Sequence, residues 1–174
     1  KYIGDAIMAV FGAPLEQPDH AFRACRTALE MMAELRRLRE KWAAEGRPDV
    51  NIGVGINSGD MVVGNMGSEM RFDYTVMGDS VNLGSRLEGI NKEYGTNIVI
   101  SEYTYEAVKG TLSCRELDMV RVKGKKLPVR IYELLGEKRD EAKWRDLIRL
   151  FDEALALYRQ GCWEDAMAAF RKVL

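Results

Sequence analysis

The sequence is short of several things, and each shortage excludes a class of protein. It has only three cysteines, Cys25, Cys114 and Cys162, with no C-x-x-C pair. A disulfide framework or a zinc site is therefore not expected, and a reducing, cytoplasmic setting is. It has one histidine, His20, at the start of a helical pattern with no partner nucleophile in the local sequence. That position reads as surface rather than as a proton carrier. Charge of one sign is also lacking: 26 basic residues face 27 acidic ones. A nucleic-acid scaffold would carry a basic excess, so no nucleic-acid partner is expected. No apolar run is long enough to span a bilayer, and no signal peptide opens the chain, so no membrane segment is expected. The Gly53-Val54-Gly55 pattern lacks a third glycine at Ser58 and is followed by no helix, so the dinucleotide-binding fingerprint is incomplete.

What is present is a chain of 174 residues, enough for one ordinary domain and a short appendage. Residues 2–3 and 6–11 read as two strands joined by a tight turn at Gly4-Asp5. Pro18 and Asp19 open a helix whose apolar positions run from Ala21 through Cys25, Ala28, Met32 and Leu35 to Trp42, with Gly46 and Pro48 as stop signals. Residues 50–56 alternate as a strand, 61–63 resume it, and Gly64-Asn65-Met66-Gly67-Ser68 reads as a flexible loop. Residues 72–77 form the next strand, 80–94 a helix ended by Gly95, and 97–101 a short β-branched strand. One or two helical turns follow at 103–108, then strands at 115–122 and 129–135. Tight turns between strands point to a mixed or largely antiparallel sheet with helices on one side, an α+β arrangement. Residues 137–140 are polar and read as a linker. Residues 141–174 turn wholly helical, with Gly161 between two amphipathic stretches, so a helical hairpin is expected there.

Three segments could carry chemistry. Asp5 at a hairpin tip offers a rigidly supported carboxylate for a hard cation such as Mg²⁺, although five residues alone read first as a turn-forming Gly–Asp pair. Asn82 and Arg86 stand four apart on one helical face. An amide beside a guanidinium can orient a sugar and meet a phosphate; the plain alternative is a solvated Asn and an Arg–Glu surface pair. Lys123, Lys125 and Lys126 flank Gly124 and could hold a polyphosphate tail, or form an exposed basic turn.

Five segments in order resemble the class III adenylate and guanylate cyclases. They are Lys-Tyr-Ile-Gly-Asp-Ala-Ile-Met-Ala-Val-Phe-Gly, Gly-Ile-Asn-Ser-Gly, Gly-Asn-Met-Gly-Ser, Asp-Tyr-Thr-Val-Met-Gly-Asp-Ser-Val-Asn-Leu-Gly-Ser-Arg-Leu-Glu and Val-Lys-Gly-Lys, within residues 1–136. The resemblance implies a ferredoxin-like nucleotide cyclase fold over 1–136, with the first strand and the first metal-binding aspartate lying upstream of Lys1. It implies an adenylate cyclase that converts ATP to 3′,5′-cyclic AMP and pyrophosphate, with two Mg²⁺ or Mn²⁺ ions per site. Asp5 matches a metal-binding aspartate, and Lys1 with Thr75 the pair that reads adenine. Asn82 matches the ribose-orienting residue, Arg86 the one that stabilises the transition state, and Lys123 a lysine on the terminal phosphates. The family builds its sites across a dimer, so a homodimer with shared sites is implied. A guanylate cyclase is the alternative, as is a catalytically incomplete cyclase-like module that dimerises or senses nucleotide. Residues 157–174 resemble one tetratricopeptide unit, which implies a protein partner for the tail; a plain helical hairpin is the alternative.

Overall fold

The computed structural model describes residues 1–68, 71–121 and 127–173. A two-stranded hairpin, β1 (Tyr2–Ile3) and β2 (Ala6–Ile7), opens the chain, turning on Gly4 at φ 62°. Helix α1 (His20–Ala44) follows. It buries Ala21, Cys25, Ala28, Met32 and Leu35, a stripe spaced three and four apart. Gly46 at φ 67° lies just past its end.

Four strands form the central sheet: β3 (Val54–Ile56), β6 (Ile98–Ser101), β7 (Leu112–Val120) and β8 (Val129–Glu137), in the order β3-β6-β8-β7. The β3–β6 pair is parallel and the other two pairs are antiparallel. Between β3 and β6 come a second hairpin, β4 (Val62–Ser68) with β5 (Arg71–Met77), and helix α2 (Asp79–Tyr94). The short helix α3 (Glu102–Val108) follows β6 directly.

Two expectations are corrected. Residues 64–68 are not a loop but the body of β4, paired residue for residue from Val62↔Met77 to Ser68↔Arg71. Two glycines give that stretch low intrinsic strand preference, and ladder pairing to β5 overrides it. Helices also cover both faces of the sheet rather than one. Ile98 and Ile100 join α1 residues in one core cluster, together with Val108 of α3. Val99, between them, joins Leu83 and Leu87 of α2 in a second. Strand β6 is buried along its whole length, as a strand covered on both sides must be.

Past β8, residues 138–143 wind into a 3₁₀ helix, followed by α4 (Arg145–Arg159) and α5 (Trp163–Phe170). Gly161 at φ 77° makes the break between them. Phe151 of α4 packs against the α2-side cluster, and Phe170 of α5 meets Phe151 edge-on at 5.1 Å between ring centres. Helix α4 also lies over β7. The Arg115 guanidinium sits 4.5 Å from the centre of the Phe151 ring, while Arg159 pairs with Glu116.

Candidate functional site

The second hairpin brings the first two site residues together. Thr75 and Asp73 are two apart on β5, so both side chains leave the same face of that strand. Lys1, on the first hairpin, reaches across so that its Nζ lies 2.9 Å from Asp73 Oδ2. Lys1 is therefore tied to the face of β5 that carries Thr75, although 74 positions separate the two in the chain. The ion pair is open to solvent on both sides, so it orients the ammonium more than it stabilises the fold. Thr75 is half-buried opposite Gly64, which has no side chain to crowd it.

Asp5 sits at the other end of the first hairpin, in the Gly4–Asp5 turn, fully open to solvent. Strand geometry puts roughly 10 Å between the ends of such a hairpin. The carboxylate and Lys1 thus stand at opposite ends of the first hairpin. Among the described residues, no group of three metal-ligating side chains occurs. A single hard oxygen donor still suits Mg²⁺ or Mn²⁺, since Mg²⁺ is commonly held by one or two carboxylates, with water and phosphate oxygens completing its shell.

Asn82 and Arg86 lie on α2, Asn82 exposed and Arg86 half-buried. The neighbouring Leu83 and Leu87 are buried against the sheet, which fixes the rotation of the helix and hence the direction of the polar pair. Among the described residues no carboxylate forms an ion pair with Arg86, so the Arg–Glu surface pairing considered for it is absent. A half-buried guanidinium without an anion is an open position for one from outside. Lys123 lies outside the described residues.

Two sets of residues escaped sequence reasoning. Asp73, the partner of Lys1, carried no signal because its role depends on a contact across the fold. Gly53 and Gly55 were read only as a broken nucleotide fingerprint. Their function is contact: a Cβ on Gly55 would lie 2.3 Å from the Glu88 amide nitrogen and 2.4 Å from the Gly84 carbonyl oxygen. Helix α2 rests directly on the β3 backbone there. Cys25 and Cys114 offer no competing chemistry, since burial pushes their thiols up to about 12.

Residues 1–136 match the model of the adenylate and guanylate cyclase catalytic domain. The chain is 38% identical over 136 residues to adenylate cyclase 1 of Rhizobium meliloti, covering 78% of this chain and 20% of that protein. It is 36% identical over 178 residues to the terminal-differentiation specific adenylate cyclase of Dictyostelium discoideum, covering 98% of this chain and 8% of that one. The chain thus spans a quarter or less of the length of these relatives. Among solved structures, it resembles the adenylyl cyclase CyaB from P. aeruginosa, with a TM-score of 0.72 and 37% identity over 80% of this chain and 72% of that one. It also resembles the guanylyl cyclase Cya2, with a TM-score of 0.67 and 39% identity over 79% of this chain and 68% of that one.

Proposed function

Since this chain belongs to the adenylate and guanylate cyclase catalytic domain family, we propose that it converts ATP to 3′,5′-cyclic AMP and pyrophosphate at sites shared between two copies. Family likeness does not separate ATP from GTP, because one similar structure is an adenylyl cyclase and another a guanylyl cyclase. The observation that carries the choice is the Lys1–Asp73 ion pair, made on the face of β5 that also carries Thr75. Lys1 donates from Nζ to adenine N1, and the Thr75 hydroxyl accepts from the exocyclic amine. Guanine carries a donor at N1, which the Lys1 ammonium cannot accept, whereas its O6 can still accept from the Thr75 hydroxyl, so the discrimination falls on Lys1.

The remaining roles follow from charge and position. Asn82 orients the ribose so that its 3′-oxygen stands in line with the α-phosphorus. That oxygen attacks, losing its proton, and the bond to the leaving pyrophosphate breaks. Arg86 offsets the negative charge that builds on the α-phosphate oxygens. Lys123 is assigned to the terminal phosphates. Asp5 would hold Mg²⁺ or Mn²⁺, and the ions, two per site, supply a lowered 3′-hydroxyl pKa and a clamp on the phosphates.

Family membership supports a two-fold homodimer in which each copy completes its partner's site, with Asp5 and Lys1 at opposite ends of the first hairpin. The helical hairpin, read as a tetratricopeptide-like unit beyond residue 140, is the surface assigned to a protein partner. No described helix is long and apolar enough to cross a membrane. With three free cysteines, one of them buried, the chain suits a cytoplasmic setting.

Initial rates with ATP and with GTP, each in Mg²⁺ and in Mn²⁺, test the reading. ATP is expected to be favoured, and the joint change Lys1→Glu with Thr75→Cys to move the preference toward GTP. A wild-type preference for GTP would overturn the assignment to ATP. Absence of turnover with both would favour a nucleotide-sensing module.

A further inference from the structure

A polar chain runs through the interior beside the proposed site, where the parallel strands β3 and β6 end. Ser101, the last residue of β6, is fully buried. Its hydroxyl donates to Asn57 Oδ1 at 2.6 Å. The same oxygen accepts from the Thr104 amide at 3.3 Å, capping α3. Asn57, the first residue after β3, donates from Nδ2 to the Ser80 carbonyl in the first turn of α2 at 2.8 Å. Thr104, also fully buried, meets the Ser58 hydroxyl at 3.0 Å. The Ser101 hydroxyl thereby fixes which way the Asn57 amide faces. With Oδ1 occupied, the NH₂ end points at α2.

Beside this contact Gly59 packs closely on Ser80, where an added Cβ would lie 2.5 Å from the Ser80 hydroxyl oxygen. The residue before the helix is Gly78, which has no side chain to cap it. Further along, α2 is seated by other means. Gly55 lets its backbone rest on β3, and the buried Asn91 donates from Nδ2 to the Val54 carbonyl at 3.1 Å. The helix is thus held to β3 at its middle and at its C-terminal end by these contacts, and at its N-terminal turn by Asn57. Asn82 and Arg86 occupy the stretch between the Asn57 contact and the Asn91 contact.

We propose that Asn57 is a positioning residue for the Asn82–Arg86 pair: oriented by Ser101, it clamps the first turn of α2 so that amide and guanidinium meet the transition state in register. The proposal rests on the cyclase reading of those two residues. Asn57 touches neither nucleotide nor metal in this account. Its loss is therefore expected in turnover rather than in nucleotide affinity, since small misplacements of reacting groups are costly to rate.

The test compares Asn57→Asp, Asn57→Ala and Asn91→Ala in the full chain. Asn57→Asp keeps the shape and the acceptor for Ser101 but removes the donor to Ser80, so it serves if Asn57→Ala does not fold. Both Asn57 variants are expected to lower kcat by about 10- to 100-fold with KM for ATP within about twofold. Asn91→Ala should lower thermal stability with kcat retained. Hydrogen–deuterium exchange should quicken at the amides of residues 81–86 in the Asn57 variants and not at β6 or β8. A raised KM with unchanged kcat would overturn the proposal. So would a general loss of protection, or exchange at 81–86 equal to wild type. If the wild type turns over neither ATP nor GTP, the cyclase reading fails by itself, and the exchange measurement still decides whether Asn57 holds this turn.

Discussion

Arg86 is the residue whose environment speaks most directly to chemistry. It is half-buried on a rigidly seated helix, and no described carboxylate neutralises it. A guanidinium placed so is open to an anion from outside. In the proposed reaction it acts mainly where charge develops. Arg86→Ala is then expected to lower kcat by about 10²- to 10³-fold with KM for ATP nearly unchanged, measured by steady-state kinetics. A parallel rise in KM would assign it to ground-state binding instead. Lys1 belongs to the same scale. Its ammonium is held by Asp73 at 2.9 Å, so Asp73→Ala should weaken discrimination between ATP and GTP while leaving the fold intact. The measurement is the ratio of kcat/KM for the two nucleotides, and an unchanged ratio would show that Asp73 plays no part in reading the base.

Two contacts between elements decide how the site is held. The first is α2 on β3. Adding one methyl group at Gly55 forces backbone against backbone, with no flexible side chain to give way. Gly55→Ala is expected to destabilise by on the order of 3 kcal/mol, read from chemical denaturation, and to reduce turnover as α2 lifts. The second is α4 on β7. Burial raises the Asp152 carboxyl above its ordinary value, with Glu116 adding to the rise and Arg159 opposing it. A carboxyl raised in the folded state favours folding while protonated, and that advantage is lost as pH climbs through its raised value. Asp152→Asn should therefore raise the melting temperature more at pH 7 than at pH 4. Equal gains at the two pH values would place the effect elsewhere. Glu133 follows the same sign, with burial outweighing the neighbouring Arg115.

At the scale of the whole molecule, the described site residues are spread over two hairpins and one helix. Asp5 lies at one end of the first hairpin and Lys1 at the other, beside the Thr75 strand. Two copies related by a two-fold axis would pair each carboxylate with the other copy's amide and guanidinium. Mixing Asp5→Ala with Arg86→Ala protein, each strongly impaired alone, is expected to restore up to about a quarter of wild-type activity, since one of four sites formed by random pairing is intact. No recovery under conditions that exchange subunits would argue for sites within single chains. The helical tail is also part of the folded body. Phe151 joins the α2-side core and covers Arg115. Phe151→Ala should cost on the order of 2 kcal/mol from lost burial and the cation–π contact.

The sequence alone determined the elements whose signals are local. Apolar spacing marked α1, α2 and the two tail helices, and glycines at 4, 46, 95 and 161 marked their turns and ends, because chain-neighbour sterics and periodicity need no partner. Motif order pointed to the family, and with it to Asp5, Lys1, Thr75, Asn82, Arg86 and Lys123. Only the tertiary structure decided that residues 64–68 are strand, since that depends on a partner ladder seven residues long. It alone decided that helices cover both faces of the sheet, that Asp73 holds Lys1, and that Asn57 grips α2. Each of these is a contact between residues remote in the chain, and local composition carries no record of which distant group will arrive.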